Sequence, residues 1–95
     1  MFVLHSEHTV TSFDAWKSVF DSHPHDRTQT GAQRYRILRP KDNPNAVIVE
    51  VEFATVGEAE AVLADLRTSW SRMQGSVLTA NPKVQVAEIV QSVEL

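Results

Sequence analysis

The segment of residues 46–53 constrains the fold more than any other part of the chain. Apolar and mixed positions alternate strictly along it: Val47, Val49, Val51 and Phe53 on one parity, Ile48, Glu50 and Glu52 on the other. A period of two is typical of a β-strand with one drier face. We therefore predict a strand here, the clearest in the sequence.

A hairpin joins this strand to the one before it. Residues 33–38 also alternate, with Tyr35 and Ile37 sharing one face. Between the two strands, residues 40–45 read Pro-Lys-Asp-Asn-Pro-Asn, and each of these types other than lysine is a turn-former.

The hairpin predicts two cross-strand ion pairs. If the apolar residues of both strands share a face, a pairing sum near 86 sets Arg36 opposite Glu50 and Arg34 opposite Glu52. Two interpretations stay open. The pairs are a structural ladder on the strands, or they lie in a cavity enclosed by a dimer, where Glu50 accepts a proton.

Two helices and two further strands complete the pattern. Residues 1–8 begin apolar and become polar, as a strand does that ends at an edge or cavity. Thr11 precedes Asp14 by three residues and predicts a cap for a helix over about 12–22, with an aromatic stripe of Phe13, Trp16 and Phe20. Residues 21–30 are polar, contain Pro24 and predict a loop.

A second helix and a last strand are predicted in the rest of the chain. Thr55 and Glu58 form a capping box for a helix over about 56–72. Residues 74–83 hold a glycine and a proline and are expected to be irregular. Residues 84–95 are rich in valine and isoleucine and predict a long last strand.

The order strand, helix, strand, strand, helix, strand predicts one ferredoxin-like domain over residues 1–95. Right-handed crossovers in both strand-helix-strand units give an α+β sandwich, βαββαβ, whose four-stranded antiparallel sheet carries both helices on one face. The other face would expose apolar residues such as Leu38, Ile48 and Val86. We therefore expect a homodimer in which two such sheets pack together.

Composition excludes several classes of partner. Nine Lys and Arg against 12 Asp and Glu give a net charge of −3, which disfavours nucleic acid and anionic membranes. The chain has no cysteine, so disulfides and thiolate chemistry are excluded. The apolar run Met1–Leu4 is too short for a signal peptide, and a soluble cytoplasmic protein is the expectation.

The histidines are weighed against metal binding. His5 and His8 are three apart in a strand, so they lie on opposite faces and at most one enters a cavity. The group Asp21, His23, His25 and Asp26 resembles a metal site by composition but offers no third ordered donor. We predict no metal site, and which of His5 and His8 faces inward stays open.

Other motifs are absent or point to the core. Trp16 and Trp70 fall on the apolar stripes of their helices, so they are core anchors or, alternatively, stacking platforms for a ligand. No Gly-x-Ser-x-Gly turn and no phosphate loop occur, which disfavours acyl-enzyme and phosphoryl-transfer chemistry.

A family resemblance appears in the same residues. They are His8-Thr-Val-Thr-Ser-Phe-Asp-Ala-Trp-Lys17, Phe20-Asp-Ser-His23, Arg27 before Gly31, and Asp42-Asn-Pro-Asn45 before the valine-rich strand. Together they resemble small bacterial proteins described as cyclase-like or antibiotic biosynthesis monooxygenase-like, within the dimeric α/β-barrel superfamily. The resemblance implies a dimer with a pocket between sheet and helices in each protomer. Haem degradation is disfavoured, because residues 56–72 lack the histidine that would bind haem.

The resemblance implies two functions, between which the sequence does not choose. One is a cofactor-independent monooxygenase or cyclase for a small aromatic or polyketide-like substrate. In it His8, Arg36 and Glu50 are catalytic: His8 as base or hydrogen-bond donor, Arg36 or Arg34 stabilising an enolate. The predicted pocket residues are His5, Arg34, Glu52, Trp16 and Trp70. The other function is a non-catalytic module that binds a small ligand or serves only as a structural dimer.

Overall fold

The computed structural model of the protein describes residues 1–22 and 30–95. It contains four strands and two helices in the predicted order: β1 (Phe2–Thr9), α1 (Phe13–Asp21), β2 (Ala32–Leu38), β3 (Ala46–Phe53), α2 (Val56–Met73) and β4 (Lys83–Glu88). The strands form one sheet in the order β2-β3-β1-β4, with every neighbour antiparallel. The ferredoxin-like βαββαβ prediction is confirmed.

The register of the hairpin is the predicted one. Arg36 pairs with Glu50, and Arg34 pairs with Glu52. A bulge between Ala32 and Arg34 shifts the start of β2. The alternation of apolar and polar side chains along the two strands is therefore enough to predict their pairing.

The core lies between the sheet and the helices. The side chains buried there include Leu4, Val47, Val49, Phe53, Trp16, Ala59, Trp70 and Leu78. On the sheet they come from alternate positions of β1 and β3, which is why one face of each strand is apolar. Both tryptophans belong to this core, as one of the two interpretations of them required.

The helix caps differ in how well sequence predicted them. At α2, Glu58 N donates to Thr55 Oγ1 and Thr55 N donates to the carboxylate of Glu58, so the capping box is confirmed. At α1 the prediction of Thr11 was wrong. The cap is Ser12, whose Oγ accepts from Ala15 N at 3.1 Å. Asp14 lies in the first turn, where its charge favours the helix dipole.

The last strand is shorter than predicted. β4 ends at Glu88, and residues 90–95 have no regular structure and are exposed, with Val90 at 87% and Val93 at 64%. Valine and isoleucine favour a strand only where a neighbouring strand supplies hydrogen bonds, and β1 pairs with β4 only as far as Glu88.

The open face of the sheet is mostly charged, with a small apolar area. Leu38 and Ile48 do lie on it, as cross-strand partners. Val86 does not, because its partner in β1 is Leu4, a core residue, so this part of the prediction was wrong. The face mainly carries the side chains of His5, Glu7, Arg34, Arg36, Glu50, Glu52, Lys83 and Gln85.

Among the helices that the structure describes, none has the length and apolar composition of a membrane span.

Candidate ligand cavity

A cavity of about 600 Å³ lies between the sheet and the two helices. Its wall is mostly aliphatic and aromatic, with Leu4, Val49, Val51 and Phe53 from the sheet and Trp16, Val19, Phe20, Val62, Leu66, Trp70 and Met73 from the helices. Its volume is in the range of small-molecule binding sites. The space is therefore suited to a molecule that is largely apolar.

Two polar side chains lie at the inner end of this cavity. Ser6 and His8 alternate along β1 and so point to the same side of the sheet as Leu4. Each is only 4% exposed, and they are the two buried polar side chains of the described chain. The Oγ atom of Ser6 lies 2.9 Å from Nε2 of His8.

The other nitrogen of His8 is buried, and the imidazole ring lies beside two tryptophans. Nδ1 has no hydrogen-bond partner among the residues that the structure describes. The imidazole centroid lies 5.8 Å from the ring of Trp16 and 5.3 Å from that of Trp70, the latter edge-on at 78°. Trp16 comes from α1 and Trp70 from α2, so both helices hold the His8 ring in place.

Burial determines the charge of His8. It lowers the pKa of His8 to about 4, because an imidazolium in this apolar setting loses its hydration. At neutral pH the ring is neutral and carries one hydrogen. It can accept a proton, but only if the resulting cation gains a partner.

The cavity reaches the surface along α2. Asp65, Ser69 and Arg72 follow one another at spacings of four and three residues, line the cavity and are themselves exposed. Thr30 lies on the same wall. The cavity therefore runs from a buried polar end at Ser6 and His8 to a charged rim.

The open face carries a separate polar cluster around Glu50. Its carboxylate lies 2.9 Å from Nδ1 of His5 and 2.6 Å from Nε of Arg36. The hydrogen bond that His5 donates to Glu50 raises the pKa of His5, with Glu7 adding to the effect at 3.3 Å. Reciprocally, His5 and then Arg36 lower the pKa of Glu50.

A second ion pair lies beside this cluster. Arg34 Nη1 is 2.9 Å from Glu52, and the arginine is 67% exposed. An exposed pair of this kind adds a few tenths of a kcal/mol to about 1 kcal/mol. The geometry agrees with the ladder interpretation of both pairs.

The predicted site residues fall into two groups that the sheet separates. His8, Trp16 and Trp70 line the cavity. The other five predicted residues project from the open face and do not line the cavity: His5, Arg34, Arg36, Glu50 and Glu52. A single site of His8, Arg36 and Glu50 is therefore not formed within the protomer, because β1 and β3 alternate their side chains between faces.

Sequence reasoning settled some positions and missed others. His5 and His8 do lie on opposite faces, and His8 is the one that faces inward. Ser6 was not predicted, although its position two residues before His8 in a strand is a signal that the two share a face. The rim residues were also missed.

No group of three metal-binding side chains occurs in the described part of the chain. The sequence cluster that includes His23 and His25 falls largely outside residues 1–22 and 30–95, and its prediction is untested.

Solved structures share this fold over the whole chain. A protein of unknown function from Nitrosomonas europaea has a TM-score of 0.78 at 15% identity, with 99% of this chain and 93% of that one covered. SnoaB from Streptomyces nogalater, a cofactor-independent oxygenase, has a TM-score of 0.75 at 17% identity, with coverage of 97% and 95%.

A third similar structure is that of a protein from Deinococcus radiodurans, which carries the provisional name antibiotic biosynthesis monooxygenase. Its TM-score is 0.70 at 14% identity, with coverage of 100% and 98%. No protein-family model and no curated protein matches the sequence.

The chain is thus an α+β protein of the ferredoxin-like class, with a cavity between its sheet and its helices. Within that class, the chain has the fold of the antibiotic biosynthesis monooxygenase-like proteins, as the resemblance in its sequence implied. The identities are all far below those that carry an activity from one protein to another, so the activity has to be argued from the site.

Proposed function

We propose that the protein is a cofactor-independent monooxygenase that takes a small, largely apolar aromatic substrate into the cavity. One observation carries this proposal: a neutral, buried imidazole lies at the inner end of an apolar space large enough for such a molecule. A core histidine with only a structural role would have no need of a cavity beside it.

The chemistry needs a base and a dry environment. An aromatic ketone with an acidified CH₂ group loses a proton to His8, and the resulting carbanion transfers electrons to O₂. The carbon then becomes a carbonyl: CH₂ and O₂ give C=O and H₂O, with both oxidising equivalents supplied by dioxygen. The apolar wall keeps water away from the carbanion.

The low pKa of His8 is consistent with this role. In the resting protein the ring is buried in an apolar setting, so the imidazolium is disfavoured. Proton transfer from the substrate creates the cation and the anion together, at short distance and in a low dielectric, where their attraction is strong. His8 therefore becomes a better base only while a substrate anion forms beside it.

The arginines of the open face are not part of this mechanism. Arg34 and Arg36 cannot reach a substrate in the cavity of their own protomer, because the sheet lies between. Among the described residues, Arg72 is the cation that lines the cavity. In the proposal it lies at the rim and attracts a substrate that carries an acidic substituent.

Anthrone tests the proposal, since its central CH₂ is acidic and its oxidation to anthraquinone consumes one O₂ and releases one H₂O. We expect oxygen uptake with the wild type, and a loss on the order of 100-fold in kcat for His8→Gln. His5→Gln is the matched control, because His5 lies on the opposite face of the same strand. Equal turnover by the wild type and His8→Gln would refute the role of His8.

Binding without catalysis is the second candidate. The same cavity favours it, because most of the wall can only exclude water and surround an apolar body. Quenching of the emission of Trp16 and Trp70, which line the cavity, reports occupancy. Saturable quenching by anthrone without oxygen uptake would favour this candidate over the enzyme.

We also propose that the open face of the sheet pairs with that of a second copy. Supporting this, the sequence resembles proteins of the dimeric α/β-barrel superfamily, Leu38 and Ile48 give the face an apolar patch, and its charges include both signs. A face that is its own complement is what a two-fold dimer requires. Light scattering should give twice the mass of the chain at micromolar concentration, and a monomer at every concentration would contradict the proposal.

A further inference from the structure

The hydroxyl of Ser6 carries a hydrogen bond that decides how His8 can exchange protons with the cavity. Its Oγ lies 2.9 Å from Nε2 of His8 and 3.5 Å from the carbonyl oxygen of Val49. An O–H···O bond is ordinarily 2.5–3.0 Å long, so the contact to Val49 is weak. A hydroxyl has one hydrogen, so Ser6 donates either to Nε2 of His8 or to the carbonyl oxygen of Val49.

The direction of the shorter bond depends on the tautomer of His8. If the Ser6 hydroxyl donates to Nε2, that nitrogen is an acceptor and the ring hydrogen lies on Nδ1. The surroundings of the ring agree, because its aromatic neighbours are Trp16 and Trp70. An indole ring accepts an N–H weakly, whereas it offers nothing to a nitrogen lone pair.

The same contacts leave His8 with one route to a ligand. Nδ1 is buried without a hydrogen-bond partner among the described residues, and Nε2 is covered by Ser6. Ser6 lines the cavity, and once its hydrogen is donated to His8 its oxygen lone pairs remain available to a donor. A ligand therefore meets the oxygen of Ser6 before it meets the ring of His8.

We infer that Ser6 is a catalytic residue of the cavity, which accepts a proton from the substrate while it passes its own hydroxyl proton to Nε2 of His8. The inference rests on the proposed function and adds to it the residue that touches the substrate. In the step, the substrate's C–H or O–H bond breaks and a new O–H bond forms on Ser6. The former Ser6 O–H bond breaks and an N–H bond forms on His8, which leaves a substrate anion, a neutral serine and an imidazolium.

The inference also defines the ligands that the inner end prefers. They present a hydrogen-bond donor on an aromatic or enolic frame, such as a phenol. An ether or methyl group at the same place would leave the Ser6 oxygen without a partner in an apolar pocket, and an unmet hydrogen bond there costs binding.

Two probes of nearly equal shape test this preference. 2-Naphthol carries the donor and 2-methoxynaphthalene does not. We expect the wild type to bind 2-naphthol about fivefold more tightly, and Ser6→Ala to bind the two equally. Ser6→Thr keeps a hydroxyl and should restore the preference, while Ser18→Ala, at an exposed serine of α1, should behave as the wild type.

A spectroscopic measurement and a kinetic one complete the test. ¹⁵N NMR of the ring nitrogens of His8 should show the hydrogen on Nδ1 in the wild type. With anthrone, Ser6→Ala should lower kcat on the order of 100-fold, with a much smaller change in KM.

The outcomes separate this inference from the proposed function. If the wild type prefers 2-naphthol and loses that preference in Ser6→Ala but never consumes oxygen with anthrone, the contact with Ser6 stands and the monooxygenase proposal fails. If anthrone is oxidised equally fast by the wild type and Ser6→Ala, or the ring hydrogen is found on Nε2, the proposed function stands and the role of Ser6 is overturned.

Discussion

His5 and His8 lie three residues apart in β1, yet the sheet separates their side chains and their pKa values shift in opposite directions. Burial between two tryptophans lowers the pKa of His8 to about 4. The hydrogen bond to Glu50 raises that of His5 on the open face. One strand thus carries a histidine that resists protonation and another that favours it.

Stability should fall with acid through His8. A histidine in the unfolded chain titrates near pH 6.5, whereas folded His8 titrates near 4. Between these values only the unfolded chain binds the proton, so the free energy of unfolding decreases as the pH falls from about 6.5 to about 4, by up to about 3 kcal/mol. Urea unfolding at several pH values measures this, and His8→Phe should flatten the dependence.

His5 supplies the control for that experiment, with the opposite sign. Because its folded pKa is raised, its stabilisation is fully present below pH 6.5 and is lost as the pH rises through the folded value. His5→Gln should therefore abolish the gain of stability that occurs as the pH falls towards 6.5, and the loss that His8 causes at lower pH should remain. A gain above pH 6.5 that persists in this variant would contradict the assignment of the two environments.

Glu50 should control the protonation of His5. Replacing its carboxylate in Glu50→Gln removes the largest cause of the raised value, so the pKa of His5 should decrease, which an NMR titration follows directly. Glu52→Gln is matched to it, since Glu52 occupies the same face but pairs with Arg34. An equal decrease in both variants would mean that the effect is only one of overall charge.

Arg36 and Glu50 should be coupled, though weakly. Their atoms lie 2.6 Å apart, but the arginine is 73% exposed, so solvent screens the interaction. A double-mutant cycle with Arg36→Ala and Glu50→Ala should return a coupling energy of about 0.5 kcal/mol in unfolding experiments. Strict additivity would exclude an energetic pair.

The cap of α1 can be tested between neighbouring residues. Ser12→Ala removes the hydroxyl that accepts from Ala15 N and should lower the free energy of unfolding by about 1 kcal/mol. Thr11→Ala should have little effect, although Thr11 is the residue that the sequence pattern favours. A larger loss for Thr11→Ala would reverse the assignment of the cap.

Gly31 and Gly57 should respond in opposite ways to alanine. Gly31 has φ of +86° and a Cβ there would collide with the carboxylate of Glu58, which closes the cap of α2. Gly31→Ala should therefore destabilise the fold by about 1 kcal/mol or more. Gly57 lies in the first turn of α2 with open space around it, so Gly57→Ala should be neutral or stabilise by up to about 1 kcal/mol. Thermal unfolding of both variants decides.

Local patterns in the sequence determined most of the fold. The alternation around Val49 and Tyr35 set the register of the hairpin, and the capping box at Thr55 set the start of α2. These features depend on residues close together in the chain, so the sequence displays them directly.

Features that depend on distant partners were harder to predict. The face of Val86 follows from its pairing with Leu4, about eighty residues earlier, and the end of β4 follows from where its neighbour stops. Within the protomer, His8 is not grouped with Arg36 and Glu50, for a related reason. Each residue was assigned a plausible chemistry, but only the assembled sheet shows on which side of it that chemistry takes place.

The alternation of side chains along β1 places Ser6 and His8 in the cavity and His5 and Glu7 on the open face. Side chains of a strand alternate, so inserting or deleting one residue before Ser6 would exchange the two sides for all that follow. His5 or Glu7 would then enter the apolar interior, and Ser6 and His8 would move to the open face. A substitution can therefore change the cavity or the open face alone, whereas a change in the length of β1 alters both at once.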